Sequence, residues 1–327
     1  MKPYLRADLA KYGPEAGDTS PLSLAEARTY CCQLTRGHYE NFSVSHFLLP
    51  RELRQHFCNL YAYCRWADDL ADEIAGDVES RRLLDWWESQ VIQLYAASDF
   101  SLTRSVSEGA AASPSLTLRV SSSSHPVFVA LADTAGDFSL PRELLLDLLS
   151  AFRQDRTKIR YATFEELLDY CRRSANPVGR LVLHLGRCHT EETAQLSDSI
   201  CTGLQLANFW QDVKRDSELG RSYLPREDLE RFGLDEQCLS RQPTDERFQS
   251  LVKFEVERAE EFLLAGGPLV KLVSSQLRVS VRLFIDGGLA ILAAIRRQGY
   301  DVWFRRPVVS KWTKLSLVVR AYLGRTS

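Results

Sequence analysis

Apolar residues recur every three or four positions along much of the chain, which is the pattern of helices with one buried face. Residues 23–39 are predicted to form the first helix, because Ser23 is a suitable N-cap and Glu26 follows three residues later. Pro50 opens a second helix, and a third spans residues 80–97. Further helices are predicted to begin at about Pro126, Pro141, Phe164, Asn176, Glu191 and Glu246.

Residues 98–125 break this pattern, since they are rich in serine and have no sustained apolar period. We predict a flexible surface insertion at about 98–125, within a single domain that spans residues 1–327. Elsewhere helix formers dominate and hairpin signals are scarce, so the expected fold class is all-α.

The amino-acid composition limits the classes of function that are expected for this chain. The chain has 327 residues, of which 45% are hydrophobic, and a net charge of −2, so it can bury a large core and does not resemble a nucleic-acid binder. Its eight cysteines include no C-x-x-C pair, which favours reduced thiols in the cytoplasm. No signal peptide or membrane-spanning run is expected, because charges and glycines interrupt the most apolar stretch, 279–295.

Residues 60–73 carry the first candidate for chemistry. They lack Gly and Pro, and Asp68 and Asp72 lie four residues apart. On a helix, this spacing places two carboxylates on one face, where they repel each other unless a cation lies between them. Arg65 continues the same stripe, whereas Asp69 points about 100° away. Magnesium accepts one or two carboxylates together with substrate phosphate oxygens, so the pair predicts a Mg²⁺ site, with a solvated acidic face as the alternative.

Residues 205–216 repeat this arrangement. Asn208, Asp212 and Asp216 are spaced four apart on one helical face, and Gln205 lies close to the same stripe. An amide oxygen and two carboxylates are ligands that Mg²⁺ accepts. An exposed polar stripe is the alternative, but apolar residues cover the other faces, and buried carboxylates are unfavourable unless they are paired or metal-bound. Two such helices together favour a metal-dependent diphosphate site.

The loop at 220–225 follows directly. Gly220 and Pro225 mark it as a loop, and Arg221 and Tyr223 are suited to close over a diphosphate.

Five motifs in this order resemble those of the squalene and phytoene synthases. They are L-L-P at 48–50, Y-A-Y-C-R-x-x-D-D-x-x-D at 61–72, Y-C at 170–171, N-x-x-x-D-x-x-x-D at 208–216 and G-R-x-Y-L-P at 220–225. The resemblance extends from roughly Thr29 to Pro225. It implies the isoprenoid synthase fold, a helical bundle around a central cavity with the two acidic helices facing each other at its mouth.

The resemblance also implies roles for single residues. Arg65 matches a diphosphate-binding arginine, Tyr170 an active-site tyrosine that faces carbocations, and Tyr223 a tyrosine near the leaving diphosphate. Arg221 and Gln205 are assigned to the diphosphate as well. His38 aligns with a position near the substrate entrance, although a structural histidine is the preferred interpretation. The implied Mg²⁺ ligands are Asp68, Asp72, Asn208, Asp212 and Asp216. The candidate catalytic residues are Asp68, Asp72, Tyr170 and Asn176.

Three departures from the common family pattern point to one branch. Glu40 occupies a position where the head-to-head synthases commonly have a cation, and Gln211 replaces the arginine of N-x-x-R-D. The third departure is the stretch 174–180, in which Asn176 either positions a water molecule or serves as a helix N-cap before Pro177. The loss of two cations argues against a site that holds two prenyl diphosphates. The combination resembles the hydroxysqualene synthase branch.

That branch implies Mg²⁺-dependent conversion of presqualene diphosphate into hydroxysqualene, between a presqualene diphosphate synthase and a flavin-dependent, squalene-forming reductase. The alternatives are head-to-head condensation of two prenyl diphosphates and, from another class, an inactive relative that acts in assembly. No G-x-G-x-x-G follows a predicted strand, so no dinucleotide site is expected.

The C-terminal part, residues 296–314, is basic and interleaved with aromatic residues. It predicts peripheral contact with anionic lipid at the inner face of the membrane, with an ordinary solvated helix end as the alternative.

Overall fold

The computed structural model describes residues 1–17, 22–37, 51–107, 125–241 and 245–323, and these contain helices and no strand. The prediction of an all-α fold is therefore confirmed. In chain order the helices are α1 Pro3–Tyr12, α2 Leu24–Gly37, α3 Arg51–Asp72, α4 Asp77–Ser107, α5 Pro126–Phe138, α6 Arg142–Asp155, α7 Phe164–Ser174, α8 Asn176–Leu185, α9 Glu191–Glu218, α10 Arg226–Arg231, α11 Glu246–Ala265, α12 Leu269–Leu272, α13 Ser275–Arg297 and α14 Lys311–Leu323, with a 3₁₀ turn at Glu236–Arg241.

Helix α3 lies at the centre of the first of two compact units, Met1–Arg156, where it packs against α2, α4, α5 and α6. Its buried face carries Tyr63 and Trp66, and the Trp66 indole stacks on that of Trp87 with ring centroids 5.2 Å apart. His125 and Phe128 extend this aromatic cluster. Because aromatic rings bury large apolar areas, this core fixes α3 and the acidic residues at its C-terminal end.

Helix α9 has the same central place in the second unit, Thr157–Ser327, where it packs against α7, α8, α11, α12 and α13. Gly203 permits the close approach of α11, since a Cβ atom at this position would lie 2.9 Å from the backbone nitrogen of Leu263. The apolar faces of α9, with Leu206, Phe209 and Trp210, are buried as predicted. The polar stripe of α9 thus lies on a helix that packs against five others.

The predicted capping box and several predicted helix starts are confirmed. The backbone nitrogen of Ser23 donates to Glu26 Oε2 at 2.9 Å, and the nitrogen of Glu26 donates to Ser23 Oγ at 3.3 Å, which is the predicted capping box. The helices predicted to begin near 126, 141, 164, 176, 191 and 246 all begin within one residue of those positions.

Three predictions need correction. The helix predicted over 23–39 is the second helix, because α1 precedes it, and residues 38 and 39 lie outside the described residues. The helix predicted over 80–97 runs from Asp77 to Ser107, so the first ten residues of the predicted insertion are helical, while 108–124 lie outside the described residues. The N-cap of α8 is Ala175 and makes no side-chain cap, so Asn176 is not an N-cap and its amide is used elsewhere. The assignment of 1–327 to one domain stays a prediction. Within the described residues, no helix is long and apolar enough to cross a membrane.

Candidate functional site

The first acidic motif lies in the last two turns of α3, where its three aspartates have different surroundings. Asp69 is 2% exposed and receives two hydrogen bonds from Arg65, from Nε to Oδ2 at 3.1 Å and from Nη2 to Oδ1 at 2.5 Å. Lys2 Nζ lies 3.1 Å from Asp69 Oδ1, and the hydroxyl of Tyr4 donates to Oδ2. Asp69 is thus a buried carboxylate whose negative charge is fully compensated by the protein.

Asp68 and Asp72 share the other face, as the four-residue spacing predicts. Burial, followed by the nearby charge of Asp72, raises the pKa of Asp68 to about 6. Arg65 Nη1, 3.1 Å from Asp68 Oδ2, opposes this effect without abolishing it. The carboxylates of this stripe therefore carry electrostatic strain that a bound divalent cation would relieve.

The second motif lies on α9, where Asn208 is exposed, Asp212 is buried and Asp216 is half-buried. Burial, followed by the charge of Asp212, raises the pKa of Asp216 to about 6. Arg221, Arg215 and Arg306 act in the opposite direction. The structure thus brings the three predicted ligands of this motif onto one face, with the same like-charge repulsion as in the first motif.

Arg306, which the sequence analysis did not single out, lies directly on Asp212. Its Nε donates to Asp212 Oδ1 at 2.5 Å and its Nη2 to Oδ2 at 3.1 Å, and Nη2 also reaches Gln211 Oε1 at 3.2 Å. The inference that replacing an arginine by Gln211 leaves this position without a cation is therefore wrong. A guanidinium is present, but it comes from a segment 94 residues further along the chain. The basic run at 305–306 was the only sequence signal for it.

The loop after α9 places Arg221 beside the same carboxylates. Gly220 has a φ of +77°, which favours glycine, and the backbone nitrogen of Arg221 donates to the carbonyl oxygen of Asp216 at 2.8 Å. The nitrogen of Ser222 donates to the carbonyl oxygen of Ile159 at 2.9 Å, so the loop is tied to the segment before α7. The charge of Arg221 lowers the pKa of Asp216, which places its guanidinium within electrostatic reach of the acidic stripe.

Tyr170 and Tyr223, predicted from separate motifs, belong to one aromatic cluster with Tyr161 and Phe209. The Phe209 and Tyr223 rings stack with centroids 3.8 Å apart, and Tyr170 lies 6.1 Å from Phe209 and 6.0 Å from Tyr223. Phe209 follows Asn208 in sequence, so this cluster adjoins the second acidic motif. Electron-rich ring faces attract cations, and such a cluster can stabilise a carbocation.

Asn176 is 6% exposed, and its Oδ1 accepts a hydrogen bond from the hydroxyl of Thr202 at 3.0 Å. This pair joins the start of α8 to α9. Gln205, the remaining predicted diphosphate residue of this unit, is half-buried one turn before Asn208. His38 and Glu40 lie outside the described residues.

A further group of potential metal ligands lies far along α3 from the acidic motif. A ring nitrogen of His56 and one oxygen each of Asp133 and Asp137 lie within 4.8 Å of one another. Arg28 Nη2 lies 2.6 Å from Asp133 Oδ2 and already supplies a positive charge to this group. These residues are not among the predicted Mg²⁺ ligands, and we interpret them as an ion-pair network between α2, α3 and α5.

Comparison with known proteins places these motifs in a family. A sequence model described as squalene/phytoene synthase matches residues 35–313, which is most of the chain. The chain belongs to the squalene/phytoene synthase family. Enzymes of this family join prenyl diphosphates head to head, generally with Mg²⁺.

Relatives with known names belong to more than one branch of the family. The chain is 30% identical over 334 residues to a 15-cis-phytoene synthase of Synechocystis sp., covering 98% of this chain and 91% of that protein. It is 41% identical to squalene synthase HpnC from Alicyclobacillus acidocaldarius, with a TM-score of 0.74, covering 86% of this chain and 97% of that one. A dehydrosqualene synthase has the same fold, with 22% identity, a TM-score of 0.74 and coverage of 92% of this chain and 98% of that one. The predicted isoprenoid synthase fold is confirmed.

Proposed function

We propose that this family member converts presqualene diphosphate into hydroxysqualene. The observation that carries the proposal is the buried pair of Asn176, at the start of α8, and Thr202, on α9. The hydroxyl of Thr202 donates to the amide oxygen of Asn176 at 3.0 Å. A pair of this kind offers both donors and acceptors to one ordered water molecule, which is the second reactant of the proposed reaction. The 41% identity to a protein named squalene synthase HpnC supports the choice of branch.

The two acidic stripes fit Mg²⁺ by their donor chemistry, because carboxylate and amide oxygens four residues apart are ligands that this ion accepts. The raised pKa values of Asp68 and Asp216 support the same assignment, since each reflects the burial of a charge and then the repulsion of a second carboxylate, and a bound cation offsets both. Asp68, Asp72, Asn208, Asp212 and Asp216 would hold the ions. When bound, Mg²⁺ would neutralise the negative charge of the diphosphate leaving group.

The remaining residues act on the diphosphate and on the carbocation that its departure leaves. Arg65, Arg221, Tyr223, Gln205 and His38 are proposed to bind and orient the diphosphate, the arginines through charge-assisted hydrogen bonds. The rings of Tyr170 and its aromatic neighbours would stabilise the rearranging cation and exclude bulk water. Asn176 and Thr202 would orient one water molecule, whose oxygen forms the new C–O bond as a proton is released.

Head-to-head condensation is the second candidate, and one specific observation favours it. Arg306 restores a cation beside Gln211, which weakens the argument that this site cannot hold a second diphosphate. The 30% identity to a protein named phytoene synthase also supports this alternative. A non-catalytic assembly role is the third, and it predicts that purified protein turns over none of these substrates.

The deciding experiment incubates purified protein and Mg²⁺ with presqualene diphosphate, farnesyl diphosphate or geranylgeranyl diphosphate, without NADPH, and identifies the products. We expect an alcohol product from presqualene diphosphate and no product from the other two substrates. Accumulation of presqualene diphosphate from farnesyl diphosphate, or of phytoene from geranylgeranyl diphosphate, would contradict the proposal. With presqualene diphosphate, Asn176→Ala should lower the fraction of hydroxysqualene among the products; an unchanged fraction would remove Asn176 from the mechanism.

The proposed reaction also implies partners that make its substrate and consume its product. These are a presqualene diphosphate synthase and a flavin-dependent, squalene-forming reductase. Since the substrate and product are lipids, we propose a cytoplasmic protein that contacts the inner face of the membrane.

The exposed residues Phe304, Val308, Trp312 and Leu315, with Trp312 81% exposed, form the surface proposed for this contact. Co-sedimentation with phosphatidylglycerol vesicles should be weakened by Trp312→Ala and unaffected by Val78→Ala, which removes an exposed apolar side chain of the first unit. Equal sedimentation of both variants would contradict the assignment of this surface.

A further inference from the structure

Arg306 contacts both carboxylate oxygens of Asp212, which is a predicted metal ligand. Both carboxylate oxygens of Asp212 accept hydrogen bonds from the guanidinium, and the residue is 8% exposed. A bidentate guanidinium–carboxylate pair fixes the plane of the carboxylate as well as neutralising its charge. Because the guanidinium neutralises Asp212 and occupies one lone-pair site of each oxygen, a metal ion that approaches this carboxylate must compete with it.

The side chain of Arg306 can leave while its backbone stays in place. The Arg306 side chain is 49% exposed, so water is available to solvate the released guanidinium. The neighbouring backbone has separate anchors, since Gln298 Nε2 donates to the carbonyl oxygen of Arg305 at 2.9 Å and Gln211 Nε2 donates to that of Pro307 at 2.5 Å. Trp303, 7% exposed, is buried at the start of this segment.

Gln211 has two contacts that an arginine at this position could not both make. Its Oε1 accepts from Arg306 Nη2, and its Nε2 donates to the carbonyl oxygen of Pro307. Because a guanidinium has no acceptor, an arginine at position 211 would repel Arg306 instead of holding it. Gln211, Arg306 and the backbone of Pro307 are therefore joined in one hydrogen-bonded group.

We propose that Arg306 is a positioning residue that fixes the Asp212 carboxylate in the metal-free protein, is held in turn by Gln211, and is displaced when a divalent cation binds. This inference rests on the proposed function in one respect, that Asp212 ligates the metal. Arg306 and the metal ion compete for the same oxygens, so the guanidinium weakens metal binding to the substrate-free protein. The first motif differs, because Arg65 makes its bidentate contact with Asp69, which is not a predicted ligand, and contacts Asp68 through Nη1 alone.

Metal affinity of the full-length protein tests this competition without any turnover. Mn²⁺ alone is titrated into the wild-type protein, Arg306→Gln and Arg305→Gln, and free Mn²⁺ is read by electron paramagnetic resonance. Arg305 is the matched control, because it is the exposed neighbour and its removal deletes the same charge. We expect Arg306→Gln to bind Mn²⁺ about threefold more tightly than Arg305→Gln, with Arg306→Lys between the two. Equal or weaker binding by Arg306→Gln would overturn the proposal.

Two further measurements separate this inference from the function on which it rests. In a spectrum of arginine-labelled protein, the Nε–H signal that Arg306→Gln removes should shift on addition of Mg²⁺, because its bond to Asp212 is exchanged for water. A signal that does not respond to Mg²⁺ contradicts displacement. Asp212→Asn should weaken Mn²⁺ binding, and if it does not, the assignment of Asp212 as a ligand fails along with the exchange. If Asp212→Asn weakens binding but Arg306→Gln does not tighten it, only the exchange fails.

Discussion

The two acidic motifs have similar sequences but are neutralised in different ways. On α3, Arg65 lies three residues before Asp68 and four before Asp69, so the compensating cation is part of the motif itself. On α9, the cation on Asp212 is Arg306, which follows 94 residues later. In the first motif the arginine makes its bidentate contact with an aspartate that is not a predicted ligand, whereas in the second it covers a predicted ligand.

Under the proposed function, this difference prepares the two motifs for a metal ion to different degrees. Asp69 receives the bidentate contact of Arg65 together with Lys2 and the Tyr4 hydroxyl, whereas Asp68 has a single contact with Arg65. Asp212 is already paired, and a metal ion must compete for it. The two motifs should therefore respond differently to substitution, pH and salt.

The largest effect is expected from removing one ligand in each motif. Asp68→Asn and Asp212→Asn keep the side-chain volume but lose a metal-binding charge, and each should lower kcat/KM on presqualene diphosphate by about 10³-fold. Steady-state kinetics at saturating Mg²⁺ gives the measurement. Comparable losses would show that both motifs serve the same step. A loss of kcat/KM in Asp68→Asn alone would indicate that the second motif has a structural role and does not take part in catalysis.

The next largest effect is a loss of folding stability that distinguishes Asp69 from its neighbour Asp68. Asp69→Asn leaves Arg65, Lys2 and Tyr4 around a neutral amide in a site that is 2% exposed, and should lower the free energy of unfolding by about 3 kcal/mol. Asp68→Asn should change it by less than about 1 kcal/mol, because the charge that it removes is already unfavourable. Urea denaturation of both variants checks this. Equal destabilisation would mean that the charge of Asp69 is not specially compensated.

The same contrast explains what sequence reasoning could and could not find. Local spacing is sufficient to place Asp68 and Asp72 on one face, to pair Ser23 with Glu26 and to predict a largely buried α9, because those relations depend on helical geometry alone. The contacts of Asp69 with Lys2 and of Asp212 with Arg306 depend on how distant segments pack. No periodicity in the sequence encodes them. The same holds for Asn176, whose partner Thr202 lies on another helix and which the local pattern also allowed as an N-cap.

A pH dependence of smaller size is expected from Asp68 and Asp216. Their pKa values are raised to about 6 in the folded, metal-free protein, above the ordinary value of 3.8. The folded state therefore binds more protons than the unfolded state between about pH 4 and pH 6, and these two groups make metal-free stability fall as pH rises through this window. Mg²⁺ binds the ionised carboxylates, so the increase in Tm that Mg²⁺ produces should grow from pH 5 to pH 7.

Differential scanning fluorimetry with and without Mg²⁺ measures this difference at each pH, and other titrating groups affect both scans alike. Asp216→Asn should reduce the growth of the Mg²⁺-dependent shift. A shift that is constant across pH 5–7 would show that neither carboxylate is a metal ligand.

The smallest effect is expected for the stability contribution of Arg306 itself. Arg306 is 49% exposed, and such ion pairs contribute at most about 1 kcal/mol because water and salt screen them. Arg306→Gln should therefore lower the Tm of the metal-free protein by about 2 °C or less, and 0.5 M NaCl should remove most of the difference. Arg65→Gln should lower Tm further and keep most of its effect in salt, because the side chains of Arg65 and Asp69 are 19% and 2% exposed, against 49% and 9% for Arg306 and Asp212. A large, salt-resistant loss in Arg306→Gln would show that Arg306 is a fixed part of the core and does not exchange with a metal ion.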